Sequence, residues 1–184
     1  MQKHGHLHRL MEAHYRGYAM IHWIVTTKAR KKGWLNELFH ARFREMLLHS
    51  GIRYHFFCPV YCVMPDHFHM IWCGVHPDSD QRKAMTFLKR YLSPPIKPAE
   101  FQKQSYDNVL REEDRKRDAF QSTCFYILEN PVRKGLVTTA VDWPFSGCIV
   151  PGYPDLSPHE DRYWDLFWQL YATKRREALS STVS

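Results

Sequence analysis

The chain has 184 residues, 44% of them hydrophobic, with 26 Lys and Arg against 19 Asp and Glu and a net charge of +7. This length supports one domain with a real core, and the composition is that of a globular protein rather than a disordered or repetitive one. No run of about 18 apolar residues exists, which excludes a membrane-spanning helix, and the basic balance favours a polyanionic partner without naming one.

Residues 1–17 read as a flexible tail in which His4, His6 and His8 alternate and no signal-peptide pattern appears. Tyr18 to Thr27 is mostly apolar and predicts a buried strand, followed by a basic turn at Lys28, Arg30, Lys31 and Lys32. Leu35, Leu38, Phe39, Phe43, Met46 and Leu47 recur at helical spacing, with Gly51 as the expected stop. Tyr54 to Met64 and His67 to Val75 predict two strands joined by a Pro65-Asp66 turn. A second helix is expected over 79–92, capped by Ser79 or Asp80 and ended by Ser93-Pro94-Pro95. Residues 94–106 read as irregular. A third helix is expected over 117–129, stopping before Pro131. A short strand is expected at 135–141. Near the C-terminus Tyr163, Trp164, Phe167, Trp168 and Tyr171 share one side of a helix, which predicts burial against the domain or a second copy.

The order β-α-β-β-α followed by a helix predicts an α+β protein: a ferredoxin-like, split βαβ arrangement with helices packed on an antiparallel sheet, plus a C-terminal helical extension. The expected divisions are a tail at 1–17, a domain at 18–150 and the extension at 151–184. Cys58, Cys62, Cys73, Cys124 and Cys148 are odd in number and lack C-x-x-C spacing. They read as reduced core residues of a cytoplasmic protein.

Chemistry concentrates in two stretches. In Met64-Pro65-Asp66-His67-Phe68-His69, side-chain alternation on a strand sends His67 and His69 to the same face, and two adjacent imidazoles form half of a metal site. In Tyr126-Ile127-Leu128-Glu129-Asn130-Pro131-Val132-Arg133, Tyr126, Glu129 and Asn130 fall at i, i+3 and i+4 on one helix face. An amide oxygen is a suitable third donor for a hard cation. An H-x-H-x-D metallohydrolase pattern is absent, because Ile71 stands where its aspartate would be.

The first stretch resembles the HUH motif, two histidines around a bulky apolar residue. The second resembles the signature of the REP-associated tyrosine transposases, which belong with the insertion-sequence-200-like single-tyrosine transposases. Tyr106-Asp107-Asn108-Val109-Leu110-Arg111 and Trp143-Pro144-Phe145-Ser146 are similar to two further elements of that family, in the same order. Asp66, Lys134 and Gly147 stand where Asn, Ala and Ser are common. The resemblance runs from about Tyr18 to about Gly147.

It implies an HUH ferredoxin-like domain in which Tyr126 is the nucleophile, His67, His69 and Asn130 hold Mg²⁺ or Mn²⁺, and the substrate is single-stranded or hairpin DNA. The chemistry implied is cleavage and rejoining of a strand through a 5′-phosphotyrosine bond, with no ATP. It leaves both a monomer and a homodimer open. Residues expected to meet DNA phosphates are Lys28, Arg30, Lys31, Arg82, Lys83, Lys89, Arg90 and Arg133. The competing readings are a replication initiator or relaxase with the same chemistry, and a non-catalytic module that binds structured nucleic acid.

Overall fold

The computed structural model describes residues 11–181; His4, His6 and His8 lie outside them. Five strands form one antiparallel sheet: β1 (Met20–Thr26), β2 (Phe56–Met64), β3 (His67–Gly74), β4 (Tyr106–Val109) and β5 (Ser146–Ile149), in the spatial order β4-β1-β3-β2-β5. The α1 helix (Glu37–Tyr54) carries the chain across the sheet, and β3 then inserts between β1 and β2. This is the expected split βαβ arrangement.

Alternation along the strands divides the core into two layers. Ile21, Trp23 and Val25 of β1 and Phe68, Met70 and Trp72 of β3 face α1 and α2 (Gln81–Leu92). Met20, Ile71 and Cys73 face α3 (Arg117–Leu128) and α5 (Tyr163–Ser181). Strand β2 is buried along its whole length between the layers. It also holds a proline, which cannot donate to a sheet ladder. The sheet accommodates Pro59 with a bulge between Phe57 and Val60. The bulge reverses the alternation: Phe56 and Cys58 share the first layer with Tyr61 and Val63. The freed carbonyl of Pro59 accepts a hydrogen bond from the Tyr163 hydroxyl at 2.6 Å. One aromatic residue of α5 thus closes the irregularity that Pro59 creates.

Helix starts follow the sequence. Asn36 accepts from the Phe39 amide at 2.8 Å and Asp80 from the Lys83 amide at 3.0 Å, capping α1 and α2. Four expectations need correction. Gly51 does not stop α1, which runs to Tyr54 and ends where His55 turns left-handed. Gly51 instead permits close packing, since a Cβ there would lie 2.9 Å from the Phe56 carbonyl oxygen. Residues 135–141 form no strand; Leu136 and Val141 are exposed and Ala140–Asp142 is a single 3-10 turn. Strands β4 and β5 lie in stretches without a strand pattern. Residues 11–17 are not a loose tail: Glu12–Tyr15 is a 3-10 turn, and Tyr15 is buried and donates to Asp107 at 2.6 Å. The five cysteines are unpaired and buried. No helix among the described residues is long and apolar enough to cross a membrane.

Two measurements check this account. Tyr163→Phe leaves the buried Pro59 carbonyl unpaired and is expected to cost about 1–3 kcal/mol in chemical denaturation, with little change in the fold. His40 meets the Tyr61 hydroxyl at 3.0 Å, and burial, helped by Arg44, lowers its pKa to about 4. The unfolded chain takes up that proton near pH 6.5 and the folded chain does not. Stability is therefore expected to fall as pH drops from about 6.5 to about 4, and the slope should be shallower in His40→Gln.

Candidate active site

The two histidines do share a face of β3, on the side covered by α3 and α5. Their Nε2 atoms lie 3.0 Å apart. Each ring is also held at its other nitrogen. His67 Nδ1 is 2.6 Å from Asp66 Oδ1, and His69 Nδ1 is 3.1 Å from Nε2 of His22 on neighbouring β1. Burial lowers the pKa of His22 to about 4, and that of His69 to about 3 with help from the charges of His67, His22, Arg133 and Arg30. Burial also lowers His67, outweighing Asp66. Burial alone would raise the Asp66 carboxyl, yet the hydrogen bond and charge of His67, with Arg30 and Lys32, take it below its usual value. All three imidazoles are therefore neutral at pH 7, the state that a metal ligand requires.

This chain of rings fits a cation by its donor chemistry. The three rings satisfy one another as a relay in which His22 donates to His69, His69 to His67 and His67 to Asp66. Metal ligation through both Nε2 atoms is compatible only with the opposite tautomer of His69, whose Nδ1–H then donates to His22. Asp66 and His22 are the groups that fix the orientations of the two rings. Among the described residues no group of three or more His, Cys, Asp or Glu could hold a metal. A cation held by the two imidazoles would need a further donor of another kind.

The α3 helix reaches this region at its C-terminus. Pro131 has no N–H to offer the Ile127 carbonyl four residues earlier. The Asn130 side chain supplies it, donating from Nδ2 at 2.9 Å to the Ile127 oxygen, and it lies 3.4 Å from the Tyr126 oxygen. A short helix, α4 (Asn130–Arg133), then continues beyond the expected stop. With its nitrogen turned to the helix, the Asn130 amide leaves Oδ1 as its outward donor atom; none of the described hydrogen bonds uses it. Arg133 adds a second tie. Its Nη2 donates to the Tyr126 carbonyl at 2.7 Å while the guanidinium lies 3.8 Å from the centre of the Tyr126 ring. Tyr126 is 59% exposed, so its phenol is held at the backbone and ring but open to solvent.

Arg30 lies 3.5 Å from Asp66, and Arg133 and Lys134 are near enough to lower the pKa values of His69 and His67. These cations gather at the histidines. Others do not. Lys28 is paired with Glu100, and Lys31 is exposed on the basic turn. Arg82, Lys83, Lys89 and Arg90 sit on α2, in the opposite layer, beside an open groove of about 660 Å³. There Lys83 pairs with Asp80, and Lys89 is bound to the carbonyls of Gln102 and Lys103.

The Trp143 element ties the adjoining edge of β2: Trp143 Nε1 donates to the Val63 carbonyl at 2.9 Å, and the Val63 amide to the Phe145 carbonyl at 2.8 Å. Gly147 follows it. A Cβ there would meet the Tyr61 hydroxyl at 2.8 Å, which explains the missing serine.

A family model described as "Transposase IS200 like" matches residues 16–114, more than half of the chain. The chain belongs to the insertion-sequence-200-like transposase family. The matched span contains His22, His67 and His69 and ends before Tyr126. A solved structure of a REP-associated tyrosine transposase bound to a REP hairpin has the same fold, with a TM-score of 0.63 and 22% identity over 77% of this chain and 81% of that one. Comparison with curated proteins finds no match.

His22 was not singled out by sequence reading, since nothing in its strand reveals which side chain it meets across the sheet. Replacing it, or Asp66, with Ala is expected to weaken Mn²⁺ binding by about 10–100-fold, measured by electron paramagnetic resonance titration. Unaltered Mn²⁺ affinity in both variants would show that neither ring orientation matters.

Proposed function

We propose that this transposase cleaves and rejoins single-stranded or hairpin DNA by attack of Tyr126 on a phosphodiester, with Mg²⁺ or Mn²⁺ held by His67, His69 and Asn130. The observation that carries the reading is the pair of neutral imidazole nitrogens 3.0 Å apart on a fully paired strand. A bound divalent ion supplies electrophilic activation of the phosphate there. The chain's own residues do the rest. Asp66 and His22 keep the imidazoles oriented. Arg133 holds the Tyr126 ring and, with Arg30, adds positive charge where the phosphate's negative charge must be met.

Tyr126 Oη attacks phosphorus as its proton is lost. The bond to the 3′ oxygen breaks, that oxygen takes up a proton as a free 3′-OH, and the 5′ phosphate stays on Tyr126. The reverse attack by a 3′-OH releases the tyrosine and reseals a strand. The number of phosphodiester-type bonds is conserved, so no nucleotide hydrolysis is needed. Lys28, Lys31 and the α2 cations Arg82, Lys83, Lys89 and Arg90 are assigned to parts of the DNA farther from the scissile bond. Five unpaired, buried cysteines fit a cytoplasmic setting.

The test uses labelled hairpin oligonucleotides from the flanks of the protein's own gene. Wild-type protein with Mg²⁺ or Mn²⁺ is expected to form a covalent adduct that maps to Tyr126 by mass spectrometry. Tyr126→Phe should form none while still binding DNA. His67→Ala and His69→Ala should each lose cleavage, and Asn130→Ala should lose less because water replaces an oxygen donor. An adduct on another tyrosine, or full activity in excess chelator, would overturn the assignment.

A further inference from the structure

The C-terminal helix does more than cover the sheet. Where α5 crosses the start of β1, a cavity of about 390 Å³ is lined by Arg115, Arg117 and Arg175 with Tyr18 and Trp168, and by no carboxylate. The described salt bridges include none of these arginines. Arg175 lies 4.2 Å from the centre of the Tyr18 ring, and Arg117 lies 5.9 Å from that of Trp168. Arg115 is anchored by Nε, which donates to the Leu110 carbonyl at 2.8 Å. Three buried donors at this one place have no partner: Tyr18 Oη, Trp168 Nε1 and Arg175 Nε. Buried donors ordinarily find acceptors. Three orphan donors beside three guanidinium groups that no described carboxylate pairs select a ligand that accepts hydrogen bonds and carries negative charge. A phosphate meets both conditions.

The position of this cradle says which phosphate. An outer groove of about 690 Å³ shares Arg117, Trp168 and Arg175 with it and adds Arg176, so the site opens along α5 to an elongated ligand. Met20, in the cradle wall, lies in the sheet layer that also carries His67 and His69. Ile24 is paired with His69. At a strand rise of about 3.4 Å per residue, Met20 is roughly 14 Å from Ile24 along β1. Between them β1 and β4 place His22 beside Asn108 and Ile24 beside Tyr106, a ring 47% exposed. Such a ring is a platform for an unpaired base.

We propose that Arg115, Arg117 and Arg175, with Tyr18 and Trp168, bind a backbone phosphate of the single-stranded arm of the substrate, a few nucleotides from the phosphate that Tyr126 attacks. The proposal rests on the DNA-cleaving reading above and adds to it a second anchor for the strand. Two anchors on one sheet layer fix the register of the strand over the nucleophile.

The experiment uses a hairpin oligonucleotide with a single-stranded arm, and a series in which one neutral methylphosphonate replaces successive arm phosphates. Wild-type affinity is expected to drop about tenfold at one or two adjacent positions a few nucleotides from the attachment point. Arg115→Gln/Arg117→Gln, both exposed side chains, should bind the all-phosphate arm about tenfold more weakly, with a salt slope smaller by about two. The methylphosphonate at the sensitive position should then cost this variant nothing further. Arg175→Lys, which keeps the charge but not the fork, should fall between. Wild-type protein that forms the adduct yet shows no sensitive position overturns the proposal, as does a variant that keeps the wild-type sensitivity. Competition by millimolar inorganic phosphate without any sensitive position identifies a free-anion site and also overturns it. Wild-type protein that neither binds the arm nor forms an adduct overturns the DNA-cleaving reading itself, and is recognised before any variant is made.

Discussion

Strand β3 is paired along both edges, and that constraint organises the molecule. A strand locked between two neighbours cannot slip by one residue without exchanging its faces. Phe68, Met70 and Trp72 are committed to the α1–α2 layer, and their burial holds His67 and His69 on the other side. The apolar residues between the histidines are thus part of the site. They supply the rigidity that keeps the two Nε2 atoms 3.0 Å apart, a disposition that a loop would relax.

The junction of α3 and α4 solves a different problem, that of breaking a helix just beyond the exposed Tyr126. Pro131 removes one backbone donor, and the Asn130 amide replaces it. Arg133 then reaches back over the Tyr126 ring to the carbonyl behind it. Asn130 and Arg133 hence serve local backbone chemistry as well as the roles proposed for them in the reaction. Tyr126, Asn130 and Arg133 fall at i, i+4 and i+7, about one turn apart on one helical face.

Much of the fold was legible because the long elements carry clear periods. The helical spacing from Leu35 to Leu47, the apolar run from Phe56 to Met64 and the aromatic side from Tyr163 to Tyr171 all became packed elements. What escaped detection lies at the margins of the sheet. Tyr106–Val109 and Ser146–Ile149 are four residues long and contain Asp, Asn, Ser or Gly, so they carry too little pattern to register as strands. Apolar Leu136, Val137 and Val141 suggested a strand, but no neighbour pairs with it. The histidine pair was legible from alternation and the Tyr126–Asn130 face from helical spacing. The contact of His22 with His69 was not, because strand register is a tertiary property. The arginine cradle was still less accessible: its members come from segments around residues 18, 115 and 175 that only the folded chain brings together.

The brevity of β4 and β5 has a consequence for association. They are the two outer strands, and each offers little more than one turn's worth of ladder to another chain. A long, flat outer strand templates indefinite edge-to-edge growth, and truncated ones do not. Edge-to-edge pairing through these strands therefore gives copies of this protein little backbone to share. Such insulation keeps the central sheet of this transposase from being recruited into aggregates where many copies are close together.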